Sequence, residues 1–299
     1  TGSVTMDGFN AIQGGTHGVL VNASGTINLG TNTPLGAITA GTIGIEVDQL
    51  LDPVNNGPIT INATDITANN GFGIRTHGRA TDTSITVTGI VQSTTATGIF
   101  ATSTTGNILI SGGGTGSVNA TGGNGIEADT RFLPAGGNIV ISDFASVTST
   151  GRGIWTRADT GTVNIDGIGT ITATNDGVLV ESTGSISIGQ TTALGSIDSG
   201  GTGILVDQLF NVANNGPIFV GATDITSARH GIRTIGAEQF TQISAAGAIS
   251  SGFTGIYGTS TTGDIVIDIG SAATVRGSHF GVGTETTTGL ATVNNSGLI

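Results

Sequence analysis

The chain has 299 residues, 53 of them glycine, with no cysteine and a formal net charge of −12. All eight basic residues are arginine, so no basic patch can hold phosphates and nucleic acid is excluded as a partner. The lack of cysteine excludes disulfides and thiolate metal sites, and no run approaches the roughly 18 consecutive apolar residues of a membrane-spanning helix.

From Gly18 onward one phrase recurs: Gly-[Ile/Val]-x-[small], a short linker, [Ile/Val]-x-[Ile/Val], then an apolar-x-small pair. The glycines that open it are Gly18, Gly44, Gly73, Gly98, Gly125, Gly153, Gly177, Gly203, Gly231, Gly255 and Gly281, in steps of 24 to 29 residues. A period of this length with strand-like alternation inside each unit marks a solenoid whose units stack on their neighbours. A β-branched residue follows every one of these glycines, from Val19, Ile45 and Ile74 through to Val282. Two positions later stands a second, smaller column that includes Val21, Val47, Thr76, Ala101 and Ala128. Period-two alternation puts both columns on one strand face.

A second strand follows each linker, with inward pairs such as Ile27/Leu29, Ile59/Ile61, Ile108/Ile110 and Ile139/Ile141. A third, shorter one reads Ile38-x-Ala40, Ile66-x-Ala68, Val118-x-Ala120 and Val147-x-Ser149. The pattern predicts an all-β fold: a parallel β-helix of about eleven coils with three short strands per coil. The wind is expected to be right-handed, by the preference of parallel crossovers. Glycines at the corners are expected to supply positive φ. The apolar surface of one coil falls short of the entropy of ordering its backbone, so coils must stack. Eleven spacings of about 4.8 Å give a rod on the order of 50 Å long.

A longer repeat overlies the short one. Gly18-Val-Leu-Val recurs as Gly177-Val-Leu-Val, Val47-Asp-Gln-Leu50 as Val206-Asp-Gln-Leu209, and Asn55-Asn-Gly-Pro-Ile59 as Asn214-Asn-Gly-Pro-Ile218. Gly73-Ile-Arg-Thr76 recurs as Gly231-Ile-Arg-Thr234, and Thr102-Ser-Thr-Thr-Gly106 as Thr259-Ser-Thr-Thr-Gly263. Six whole coils are read as duplicated, residues 18–110 matching 177–267, within a single solenoid spanning 1–299. The non-initiator Thr1 and the close at Asn294-Asn-Ser-Gly-Leu-Ile299, which reads as the start of another coil, predict a fragment of a longer protein.

Phrases such as Ser24-Gly-Thr-Ile-Asn-Leu-Gly30, Thr105-Gly-Asn-Ile-Leu-Ile110 and Ala291-Thr-Val-Asn-Asn-Ser-Gly297 resemble the passenger region of bacterial autotransporters, the type V secreted surface proteins. The resemblance covers essentially the whole chain and specifies a scaffold. It implies export from a Gram-negative cell, a C-terminal outer-membrane barrel in the full-length protein, and an adhesive or self-associating role at the cell surface.

Candidate chemistry is sparse. Glu46, Asp48 and Asp52 form the densest acidic group, and a glycosidase needs two carboxylates about 5–9.5 Å apart. The duplicate carries Leu205 and Asn211 in place of Glu46 and Asp52, which favours solvation and turn bonding over catalysis. Asp65 and Asp224 read as corner residues holding backbone donors. His17, His77, His230 and His279 sit in separated coils without ligand spacing; His77 is read as lying in a linker. No catalytic, cofactor-binding or metal-binding residue is therefore assigned, and no cofactor is expected.

The outward column of the glycine-led strand is more informative. It reads Leu20, Glu46, Arg75, Phe100, Glu127, Trp155, Leu179, Leu205, Arg233, Tyr257 and Gly283. Glu46 beside Arg75 suits a cross-coil ion pair. Phe100, Trp155, Leu179, Leu205 and Tyr257 are expected to form an exposed apolar stripe that contacts a partner. The extended linkers 50–56, 130–137 and 209–215 are expected to pack near it. The expected function is a non-catalytic extracellular rod in adhesion, aggregation or spacing, with self-association or a host or matrix glycan or protein as partner. The membrane is reached only through the barrel. A self-assembling subunit of a surface filament or layer, and a polysaccharide-degrading β-helix enzyme or phage tailspike, are the competing expectations.

Overall fold

The computed structural model describes residues 2–49, 56–78, 81–131, 136–208, 215–236 and 238–299. The alternating apolar columns become three parallel sheets that wrap one continuous core. Sheet 1 contains eleven glycine-led strands, from His17–Asn22 to Phe280–Thr286. Sheet 2 contains twelve, from Val4–Met6 to Ala291–Asn295, and sheet 3 eleven, from Ala11–Gly14 to Thr274–Gly277. Each strand pairs with its equivalents one coil away, and no helix occurs among the described residues.

Register is fixed because a one-residue slip would turn every inward side chain to solvent. Ile45 pairs with Ile74, Ile74 with Ile99, Ile99 with Ile126 and Ile126 with Ile154, and all five are fully buried. The inward residues of sheets 2 and 3 behave alike: Ile108 and Ile110, and Val118 and Ala120, are buried. Further core side chains, Leu35, Phe144, Ile168 and Leu194, fill the turn from sheet 2 to sheet 3.

The glycine-led corners work differently from the expectation. None of the eleven opening glycines has a positive φ; that conformation belongs to other turns, such as Gly30 (φ 72°) and its duplicate Gly189 (φ 63°). What the opening glycines lack is room. At ten of them a Cβ would lie within 3.0 Å of both the next opening glycine's carbonyl oxygen and a branched methyl carbon of sheet 3. That carbonyl is a ladder acceptor: Ile126 N–H donates to Gly153 O at 3.0 Å and Ile154 N–H to Gly177 O at 2.9 Å. A side chain at this position would collide with the bond that joins the coils.

Residues matched six coils apart in the sequence make matching contacts. Gln49 Nε2 donates to Gly57 O at 2.6 Å and Gln208 Nε2 to Gly216 O at 3.0 Å. Asp65 Oδ1 accepts Ile90 N–H at 2.9 Å, and Asp224 Oδ1 accepts Ala248 N–H at 2.8 Å, so both are corner residues holding backbone donors.

The core also carries threonines where the pattern has apolar residues. Thr76, Thr156 and Thr234 in sheet 1, and Thr83 and Thr241 in sheet 2, are fully buried with hydroxyls that lack a hydrogen-bond partner. A buried hydroxyl without a partner is destabilising relative to an isosteric methyl. Thr156→Val is therefore expected to raise the unfolding free energy by about 1 kcal/mol in urea denaturation; a loss of stability would contradict the account.

Candidate functional site

Parallel in-register pairing turns outward residues into columns as regular as the inward ones. On sheet 1 the pairing runs Leu20–Glu46–Arg75–Phe100–Glu127–Trp155–Leu179–Leu205–Arg233–Tyr257–Gly283 without a slip. Side chains just before the opening glycines and two positions further along the strand flank this column. Together they give an outer face three residues wide.

At the N-terminal end Glu46 is the focus. One carboxylate oxygen lies 2.8 Å from His17 Nε2 and the other accepts from Arg75 Nη1 at 3.0 Å. The expected cross-coil pair is present, and the same carboxylate also holds a histidine. His77 ends the strand Ile74–His77 rather than lying in a linker. Its Nε2 accepts from Arg75 Nε at 2.9 Å, and its Nδ1 is 2.9 Å from Thr102 Oγ1. Phe100 packs against Phe72, with ring centroids 5.5 Å apart, and against His77 at 5.7 Å.

The middle of the face is a charged network around the single tryptophan. Trp155 lies between two guanidinium groups, Arg157 at 3.9 Å and Arg152 at 4.4 Å from its ring centroid, and its Nε1 donates to Glu181 at 2.8 Å. Such stacking favours arginine over lysine, since the planar guanidinium spreads over a ring face. Arg157 also bonds Glu127 through Nη2. Its Nε sits 3.0 Å from Asp129 Oδ2, within ion-pair reach but off the line of a hydrogen bond. Arg131 Nη2 reaches the same Asp129 oxygen at 3.2 Å, and Asn124 donates to Glu127 at 2.9 Å. Glu127 and Asp129 are only 7% and 3% exposed, so these charges depend on their partners.

Toward the C-terminal end the face becomes aromatic and cationic. His230 stacks on Tyr257, with centroids 6.0 Å apart and planes at 24°, and meets Phe253 edge-on at 5.2 Å. Burial, then the charges of Arg233 and Arg229, hold His230 below its ordinary pKa, so its ring is neutral at pH 7. Burial first, then a hydrogen bond to the Glu285 carboxylate, push the Tyr257 phenol above its ordinary value.

The expected stripe is thus only partly realised. Phe100, Trp155, Leu205 and Tyr257 are half-buried, while Leu179 is 5% exposed. Leu179 lies in register between Trp155 and Leu205, one strand spacing from each. Glu127 separates Phe100 from Trp155, and Arg233 separates Leu205 from Tyr257, so the column is mixed rather than a continuous apolar band. Most of the linkers 50–56, 130–137 and 209–215, together with Asp52 and Asn211, lies outside the described residues. Arg152, Arg157 and Asp176, which sequence reasoning passed over, and His230, which it weighed only as a metal ligand, occupy the two flanking columns. Arg157 stands four positions after an opening glycine, where alternation points outward; Arg152, Asp176 and His230 stand one before, a position alternation assigns to the inward face, so alternation alone does not reveal them.

Among the described residues no group of three or more His, Asp or Glu side chains is placed to hold a metal ion. No model of a protein family matches the chain, and neither a curated protein nor a solved structure shows significant similarity to it.

The buried network gives a direct prediction. Removing Arg157 leaves Glu127 and Asp129 buried with too little positive charge, so Arg157→Ala should lower stability by about 3 kcal/mol. Chemical denaturation, with tryptophan fluorescence reporting the loss of the Trp155 sandwich, checks it; an unchanged midpoint would contradict it.

Proposed function

We propose that this chain is the stacked-coil rod of a secreted bacterial surface protein, similar to autotransporter passengers, and that it works by presenting a contact face rather than by catalysis. The observation that carries this reading is the outward ladder of sheet 1, held in register through eleven coils while its side chains vary from coil to coil. A rod of this kind tolerates added coils because every interface is local. A six-coil duplication lengthens its reach and multiplies its contacts, and several weak contacts along one face gain avidity together.

The state of the acidic residues supports the same reading. Glu46, the strongest catalytic candidate in the sequence, is held by His17 and Arg75 on either side. A carboxylate with both oxygens engaged by side chains of the neighbouring coils is not free to meet a substrate. In the full-length protein the rod would stand outside a Gram-negative cell, carried by an outer-membrane barrel, with a host or matrix glycan or protein as its partner.

Beads coated with the chain are expected to be retained on mucin-coated glass under flow, and soluble chain to compete them off. Polysaccharides incubated with the chain should be recovered without new reducing ends or unsaturated products. Failure of retention, or any such product, would overturn the proposal.

A further inference from the structure

The duplication provides an internal comparison. Arg75 in the first block corresponds to Arg233 in the second, but the acid that neutralises Arg75, Glu46, is replaced by Leu205. Three other positions change in the same neighbourhood: Gly71 becomes Arg229, Phe72 becomes His230, and Ala96 becomes Phe253. The first block is therefore closed by its own ion pair. The second gains a cation and an aromatic wall and loses the acid.

These substitutions surround a cavity of about 420 Å³ lined by Asp176, Leu205, Arg229, His230, Arg233 and Phe253, among others. None of the six ion pairs among the described residues includes Arg229 or Arg233. Arg233 Nε and His230 Nδ1 are buried atoms without a hydrogen-bond partner. Arg233 is half-buried and Arg229 exposed beside it, and neither has a carboxylate partner in a chain of net charge −12; an unpaired buried donor such as Arg233 Nε is conspicuous because buried donors are normally satisfied. The guanidinium fork matches a carboxylate bidentately.

The walls narrow the ligand further. Phe253, which meets His279 at 4.3 Å, and the neutral His230, stacked on Tyr257, line the cavity with rings set at 82° to one another, and Leu205 adds an apolar side chain to the lining. Asp176, 3.6 Å from Arg152 Nε, supplies a carboxylate that can accept from a hydroxyl but would repel a multiply charged phosphate. A singly charged ring with several hydroxyls satisfies all of these features.

We propose that the cavity between Arg229, Arg233 and Phe253 binds an acidic sugar unit of the hexuronate class, its carboxylate on the arginines and its ring face against Phe253. This deepens the contact-face reading and rests on it, but the two are tested separately. Calorimetric titration of the 299-residue chain with galacturonate, galactose and inorganic phosphate reads the cavity alone. Galacturonate should bind at least about tenfold more tightly than galactose or phosphate. Arg233→Gln should weaken it about tenfold or more, while Arg75→Gln in the first block leaves it unchanged. Leu205→Glu should abolish binding by rebuilding the ion pair of the first block, with the circular dichroism spectrum retained. Equal binding of phosphate or galactose, or galacturonate binding that survives Leu205→Glu, would overturn the proposal. Loss of bead retention on mucin with galacturonate binding intact would count against the adhesive role and leave the cavity standing.

Discussion

The fold depends on how closely one coil approaches the next at the glycine-led corner. There the carbonyl of each opening glycine accepts the ladder hydrogen bond from the preceding coil, as Gly177 O does from Ile154 N–H at 2.9 Å. The space a Cβ would need is already taken by that oxygen and by a sheet 3 methyl such as Ile171 Cγ2. The glycine column and the β-branched column beside it are thus one device. The first lets strands close to hydrogen-bonding distance, and the second fills the interior that this closeness creates. Because the device is local to each pair of coils, coils can be added without disturbing those already stacked.

The same regularity disciplines the outside. In-register pairing places each outward residue beside its counterparts one coil away, so a single substitution changes the partners available to two neighbours. Glu46 and Arg75 neutralise each other in the first block, whereas Leu205 leaves Arg233 without such a partner in the second. In the middle, the buried acids Glu127 and Asp129 are paired with the half-buried Arg157 and the exposed Arg131. One scaffold therefore carries a closed polar patch, a charged and aromatic clasp and a cationic cavity in succession along one face.

Much of this was legible in the sequence. The three strands per coil, the inward pairs such as Ile108 and Ile110, and the outward column from Leu20 to Gly283 follow from alternation alone. The structure reproduces their register. Other features were not legible, for physical reasons. The role of the opening glycines was assigned to φ, because a single sequence does not reveal how near the next coil's carbonyl lies. Leu179 was expected at the surface, since alternation gives the direction of a side chain but not how far its surroundings bury it. Phe144 and Leu194 escaped the pattern because they fill turns, where no period applies. The Trp155 clasp joins residues from three coils and three columns, and only side-chain conformation decides which of the neighbouring charges meet.

The most direct measurement is the stability of Gly153→Ala against Gly15→Ala. Gly15 is exposed, has ordinary φ and has nothing within 4 Å of an added Cβ. Close coil contact predicts that Gly153→Ala lowers the unfolding free energy by at least about 1–3 kcal/mol while Gly15→Ala leaves it near its starting value. Equal stability for the two variants would mean that the coils do not meet at the glycine column, and would contradict the account at its base.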